Sequence, residues 1–336
     1  APSVTYPSYR YRSHSLTICC TAAMVRQLYL ERWAMTLSST LVRSNSASAK
    51  ALMVLGGSLF IAAAAQVTVP MYPVPVTLQT LAVLLVGFAY AALVLVGSFF
   101  GTAAYGGRFG GGKRAKGLKL GAKQGWVLME LPGLIVFPVV FFMGSNADQA
   151  VPLFFLAIWM MHYTNRALIT PLLMRVQPGS QASFSLGVVI AGWITLFLHG
   201  YFNAAYLTEL GTQYTYDWFT DPRFRIGFAI YIVGFVLNIH SDRILRSLRS
   251  PNPSPDEPRY KIPYGGGFRF VSCPQYLGEI LSFTGFAIMV WNLGAVFVLA
   301  MTAGNLIPRA IYTHRWFHKN FEDYPAERKA IIPGIL

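Results

Sequence analysis

The strongest constraint on this chain is a succession of long apolar runs separated by short polar loops. Residues 51–67, 126–143, 151–173, 184–207 and 226–248 form such runs, and 277–290 with 293–307 forms a final apolar hairpin. About twenty apolar residues cross a bilayer as a helix. No water is present there, so every backbone group must be satisfied inside a helix or a closed barrel. The chain is 54% hydrophobic and 12% charged, about half the ~25% charge of a soluble domain. An all-α polytopic membrane protein is expected.

The net charge of +14 would suit nucleic acid if it were gathered on one surface. It is instead dispersed among loops, so membrane lipids are expected as partners and nucleic acid is not. Loops 108–123, 174–182 and 243–269 and the C-terminal tail are basic, whereas 144–150 and 208–222 are acidic or mixed. Loop 108–123 alone carries six basic residues and no acid. An excess of Lys and Arg marks the cytoplasmic side, which places the basic loops and the C-terminus there. The same side would hold an anionic cofactor, in a bacterial inner membrane or in the endoplasmic reticulum of a eukaryote. Cys19, Cys20 and Cys273 form no C-x-x-C pair and imply neither a disulfide framework nor a zinc site. His314 and His318 lack a third ligand, so no metal is expected.

Three segments are expected. Residues 1–46 are Ser/Thr-rich, with five Arg and one acid, Glu31. They are read as a disordered basic leader, an extended or misassigned start with Met24 or Met35 as candidate true starts rather than a transit peptide, and no function is assigned to them. Residues 47–88 contain an apolar run and then Val69-Pro70-Met71-Tyr72-Pro73-Val74-Pro75-Val76-Thr77-Leu78-Gln79-Thr80. This motif resembles the opening of the substrate-binding component of bacterial biotin transporters. Residues 76–105 then run without a charge, ~45 Å as one helix against a ~30 Å hydrocarbon core. That excess length suggests a join near Phe88, with residues 89–336 forming the third segment and residues 89–105 its first span.

Several polar residues lie where packing alone does not explain them. Glu130 precedes Pro132, whose missing N–H frees the carbonyl of Leu128, and a carboxyl at membrane depth is a functional candidate. Its structural alternative is pairing with a nearby Arg. Tyr163 and Arg166, in His162-Tyr163-Thr164-Asn165-Arg166, share a helix face at i,i+3. Asn238, Asp242, Arg246 and Arg249 follow at i, i+4, i+8 and i+11 and form one stripe. The arginines and Lys261 suit phosphates; a solvated face against anionic lipid would account for them but not for Asn238. The glycine runs 106–112 and 265–267 would permit close approach to a phosphate. Neither lies in a Rossmann unit.

Together these motifs resemble the steroid 5α-reductase family. The resemblance rests on Glu130-Leu131-Pro132, His162-Tyr163-x-x-Arg166, Trp218-Phe219-Thr220-Asp221-Pro222-Arg223-Phe224 and Asn238-Ile239-His240-Ser241-Asp242. It continues through Tyr260-Lys261-Ile262-Pro263, Leu277-Gly278-Glu279 and Phe321-Glu322-Asp323-Tyr324-Pro325-x-x-Arg328-Lys329-Ala330. It implies a seven-transmembrane-helix reductase bundle over 89–336, here with an extra N-terminal hydrophobic helix. It also implies NADPH among the cytoplasmic helix ends and a 3-oxo-Δ4-steroid or sterol reaching the site from the bilayer, with no obligate protein partner. Catalysis would fall to Glu130 and Tyr163 at the C3 carbonyl. The cofactor would meet Tyr105, Trp126, Arg166, Asn238, Asp242, Arg246, Arg249, Tyr260, Lys261, Gln275, Glu279, Arg309 and Arg328. Met129 and Gln275 replace the Gln and Asn of animal members, and Thr313 and Phe317 replace a His and a Tyr. These departures bear on substrate identity. A membrane enoyl-thioester reductase is an alternative enzyme, and an S-adenosylmethionine-dependent isoprenylcysteine methyltransferase another. A vitamin-uptake component is the alternative from a different class.

Overall fold

The computed structural model describes residues 68–69, 76–100, 118–176, 182–251, 257–258 and 260–336. The chain divides into two units after Val67, and the described residues all belong to the second, Thr68–Leu336. The leader, the apolar run 51–67, Tyr105 and the glycine run 106–112 lie outside the described residues.

Helices dominate. Strands β1 (Thr68–Val69) and β2 (Val76–Thr77) pair antiparallel and deliver the chain into α1 (Leu78–Phe100). Strand β3 (Lys119–Gly121) leads into α2 (Ala122–Phe142). Helix α3 (Ala150–Thr164) passes through a π turn, Asn165–Ile169, into α4 (Thr170–Leu173). Strand β4 (Ser183–Ser185) precedes α5 (Leu186–Ala205), and α6 (Pro222–Ser247), α7 (Pro274–Val290) and α8 (Leu293–Asn320) complete the order. Among the described residues, 122–142, 186–210, 222–247 and 293–320 are helical, long and apolar enough to cross a membrane. The protein is an integral membrane protein, and it bares apolar side chains accordingly. Ile226, Val233 and Val236 on α6 point outward, as they can where the solvent is lipid.

Three expected spans are corrected. The first is α1, Leu78–Phe100, which begins well before residue 89 and runs unbroken through residue 88, while residues 101–105 lie outside the described residues. Helix α6 begins at Pro222, where Asp221 caps it by accepting from the Arg223 backbone N–H at 2.8 Å. The Arg223 side chain bonds the same carboxyl and holds it below the usual carboxylate range. Helix α8 continues past residue 307 to Asn320, through Pro308. Hydropathy marks where the apolar face stops, whereas the backbone ladder continues while its far end stays packed. Buried Arg309, Thr313 and Phe317 keep it so.

In lipid, helices associate through close packing and hydrogen bonds rather than through water exclusion. Helices α6 and α7 do so along a glycine seam. A Cβ on Gly227 would lie 2.6 Å from the Gly285 carbonyl oxygen, and one on Gly234 2.7 Å from that of Gly278. Strands β3 and β4 pair Gly121 with Ser183 and so set the starts of α2 and α5 side by side. Pro132 opens the ladder of α2 as its ring requires, and the Trp193 indole of α5 takes the Leu128 carbonyl. The Trp159 indole donates to Gly133 O at 2.8 Å, and its ring stacks on Phe137 with centroids 4.4 Å apart. These bonds lock α2, α3 and α5 around Glu130 and Tyr163.

Candidate active site

The π turn at the end of α3 inserts one extra residue into the helix, a distortion frequent at functional sites. It places Arg166 on the same chamber wall as His162 and Tyr163. Across from them, Gly133 leaves room on α2 for the Tyr163 ring, which a Cβ would strike. Arg166 then reaches two carboxyl groups on different helices. Its Nη2 is 3.7 Å from Glu130 Oε1, and its Nε is 3.4 Å from Glu279 Oε1. Glu279 also accepts from Asn238 Nδ2 at 2.9 Å and lies 3.3 Å from His162 Nε2. The pairing weighed as the structural alternative for Glu130 is therefore real. It is long, and both groups still face a cavity.

Two cavities meet at this network. The first, about 280 Å³, has Glu130, Tyr163 and His199 among mostly apolar walls that include Val94, Met129, Leu196 and Phe283. The second, about 310 Å³, is polar and basic, with six Arg or Lys side chains against Asp242 and Glu279. Trp126, Arg166, Glu279 and Leu306 line both. A compact apolar molecule and an extended anionic one would thus touch at a shared wall.

Glu130 and Tyr163 lie together in the apolar cavity. Asn238, Asp242 and Arg246 on α6 and Arg249 just past its end all line the basic one, so the stripe faces inward. Tyr260, Lys261, Gln275 and Arg309 join them. Lys261 Nζ also donates to Glu257 at 2.6 Å, which holds that carboxyl below its ordinary range. Arg328 lines neither cavity. Its guanidinium lies over the Tyr264 and Tyr324 rings, 4.9 and 5.1 Å from their centroids. Gly265 and Gly266 have φ of 89° and 49° and serve a turn that other residues rarely adopt, away from both cavity linings.

A family model described as 3-oxo-5-alpha-steroid 4-dehydrogenase matches residues 182–336. A BioY family model matches residues 35–106. The chain is 37% identical over 226 residues to "3-oxo-5-alpha-steroid 4-dehydrogenase 1" of Rattus norvegicus, covering 66% of this chain and 82% of that protein. It is 35% identical over 268 residues to "3-oxo-5-alpha-steroid 4-dehydrogenase 2" of Sus scrofa, covering 78% of this chain and all of that protein. "Steroid 5-alpha-reductase DET2" of Solanum lycopersicum is 36% identical over 211 residues, 62% of this chain and 79% of that one.

The chain belongs to the 3-oxo-5-alpha-steroid 4-dehydrogenase family. It is an oxidoreductase acting on CH–CH groups. Residues of the quoted motifs line both cavities, and several further lining residues were unassigned. Tyr90, Thr195, His199 and Asn305 wall the apolar cavity, and Arg175 the basic one. His199 and Asn305 carried a sequence signal, each as an isolated polar side chain inside an apolar run. Tyr90 and Val94 belong to α1, within the stretch that the BioY model also matches.

Whether the basic cavity suits a dinucleotide can be judged from its donors and acceptors. Asn238 spends its Nδ2 on Gln275 O and Glu279, both at 2.9 Å. Its Oδ1 and the Gln275 Oε1 are buried acceptors without a hydrogen bond among the described residues. Carboxamide or ribose donors would satisfy them, and the Arg and Lys groups would meet phosphates bidentately or as point charges. The residues fit.

Proposed function

We propose that the protein reduces the Δ4 double bond of a 3-oxo-Δ4-steroid with NADPH, giving the 5α-3-oxosteroid. The observation that carries this reading is the shared wall between an apolar cavity holding a carboxyl and a phenol and a basic cavity holding an amide stripe. The relatives' names supply the substrate class. The Lys/Arg distribution supports a basic cavity open to the cytoplasm, and the lipid-facing helices support a steroid arriving through the bilayer.

When bound, the cofactor supplies hydride. The chain's own residues do the rest. Asn238, Asp242 and Gln275 would hold ribose and carboxamide groups, and Arg246, Arg249, Lys261 and Arg309 would hold phosphates. The Tyr163 O–H and the protonated carboxyl of Glu130 donate to the C3 carbonyl oxygen, which draws electron density from C5. Donors placed in advance where charge develops lower the barrier without reorganisation. They hold the enolate oxygen that forms as C5 takes the hydride, until a proton from solvent reaches C4. The apolar walls exclude water, which strengthens both hydrogen bonds.

The test uses purified protein in detergent with progesterone and NADPH, following loss of the enone absorbance. Turnover is expected, and Tyr163→Phe should lower kcat by about 10²–10³-fold, the usual cost of removing one oxyanion donor. Glu130→Leu, which leaves no donor at that place, should also reduce it strongly. Folded protein that consumes no NADPH across a steroid panel would overturn the proposal.

A further inference from the structure

Tyr163 has one hydroxyl proton, and the proposed chemistry requires it to point at the substrate. We infer that His199 is the positioning residue that turns it there, an inference that rests on the reductase reading above. His199 stands on α5, opposite Tyr163 on α3, and both side chains line the apolar cavity. The two are 5% and 3% exposed, so water does not compete for either. The Tyr163 hydroxyl lies 3.5 Å from His199 Nδ1. That distance is long, as catalytic hydrogen bonds often are before substrate tightens them.

A phenol oxygen offers one donor and two acceptor sites, and a neutral imidazole carries its proton on one nitrogen only. If Nδ1 accepted from Tyr163, the single phenolic proton would be spent on the histidine and none would remain for the substrate. If Nδ1 carries the proton, it donates to the phenol oxygen, and the phenol's own O–H is left to reach the C3 oxygen. A donor bond received at that oxygen also polarises the O–H and makes it the stronger donor. Nε2 has no hydrogen bond among the described residues. It therefore imposes no competing tautomer, and the contact with Tyr163 decides it. The imidazole ring is held in place by Phe297, met nearly edge-on at 5.3 Å, and Asn203 Nδ2 donates to the His199 carbonyl at 3.0 Å.

Packing alone would also explain a buried ring against Phe297. Two substitutions separate the roles because they rank in opposite orders. His199→Phe keeps the ring and removes its nitrogens, whereas His199→Asn keeps a donor near the Nδ1 position and removes the ring. A positioning role predicts that His199→Phe lowers kcat by about 10–100-fold, the usual range for an outer-shell partner. The KM for progesterone and for NADPH should stay within about twofold, and His199→Asn should retain most of the wild-type kcat. Combined with Tyr163→Phe, measured in single turnover at high enzyme, His199→Phe should cost almost nothing further, because its target is gone. Melting in detergent checks the fold of each variant, and His199→Leu replaces any His199→Phe protein that does not fold. The inference falls if His199→Phe keeps its kcat, if the Asn variant is the more damaged, or if the penalty is unchanged beside Tyr163→Phe. A wild-type protein inactive on every steroid would instead overturn the underlying reading.

Discussion

Arg166 links the site, since one guanidinium reaches the carboxyl group of Glu130 in the apolar cavity and that of Glu279 on the wall both cavities share. Glu279 is held in turn by Asn238, whose amide bridges α6 to α7. Replacing Asn238 with Ala removes the neutral donor to a buried carboxylate and an acceptor offered to the cofactor. The loss of such a buried partner costs about 1–3 kcal/mol. A lower melting temperature and a raised KM for NADPH are expected, with the steroid KM little changed; enzyme kinetics with each substrate varied in turn would show it. Glu130, Tyr163, Arg166 and Asn238 were legible because polar groups in an apolar run need a reason. Which of them meet was not legible. Sequence spacing sets a face of one helix, but the pairing of Arg166 with Glu279 depends on α7, more than a hundred residues away.

At the scale of elements, the glycine seam brings Asn238 of the polar stripe to Glu279. Gly227 and Gly234 on α6 and Gly278 and Gly285 on α7 recur at seven-residue intervals, and each lets one backbone touch the other. Gly278 is the most telling, because a Cβ there would sit 2.5 Å from the Asn238 backbone nitrogen. Backbone cannot swing aside as a side-chain tip can, so Gly278→Ala must part the helices. Overpacking of this kind costs about 1–3 kcal/mol. Melting in detergent should fall accordingly, and the KM for NADPH should rise with it. Gly187 on α5 has nothing within 4 Å of its Cβ position, so Gly187→Ala should be neutral or stabilise by up to about 1 kcal/mol through helix propensity. The helices at 122–142 and 186–210 were legible from apolar length. The seam was not, since seven-residue glycines carry meaning only against a facing helix. The continuation of α8 to Asn320 was missed because its packed end is polar.

For the whole molecule, both ends of the described chain close on the site. Tyr90 of α1 lies 3.1 Å from Thr195 Oγ1 on α5, so the stretch matched by the BioY model walls the apolar cavity. Tyr90→Ala should raise the steroid KM and leave that of NADPH unchanged in the same kinetic assay. At the other end, the last residues fasten the loop that carries Tyr260 and Lys261. Val271 bridges Lys329, the Ser272 N–H donates to Lys329 O at 2.8 Å, and the Tyr324 hydroxyl donates to Ser272 Oγ at 2.6 Å. Arg328 lies over the rings of Tyr264, in that loop, and Tyr324, in the tail. The family resemblance implied a direct cofactor contact for Arg328; its position behind the lining supports action through the loop. The two roles differ in what lysine can replace. A phosphate contact tolerates another cation, whereas stacking on two rings requires the planar guanidinium. Each cation–π contact is worth about 0.5–2 kcal/mol. Arg328→Lys should therefore raise the KM for NADPH nearly as far as Arg328→Ala, with a matching fall in melting temperature. If Arg328→Lys kept the wild-type KM, charge rather than shape would be the property in use, and Arg328 would belong to the cofactor's own contacts.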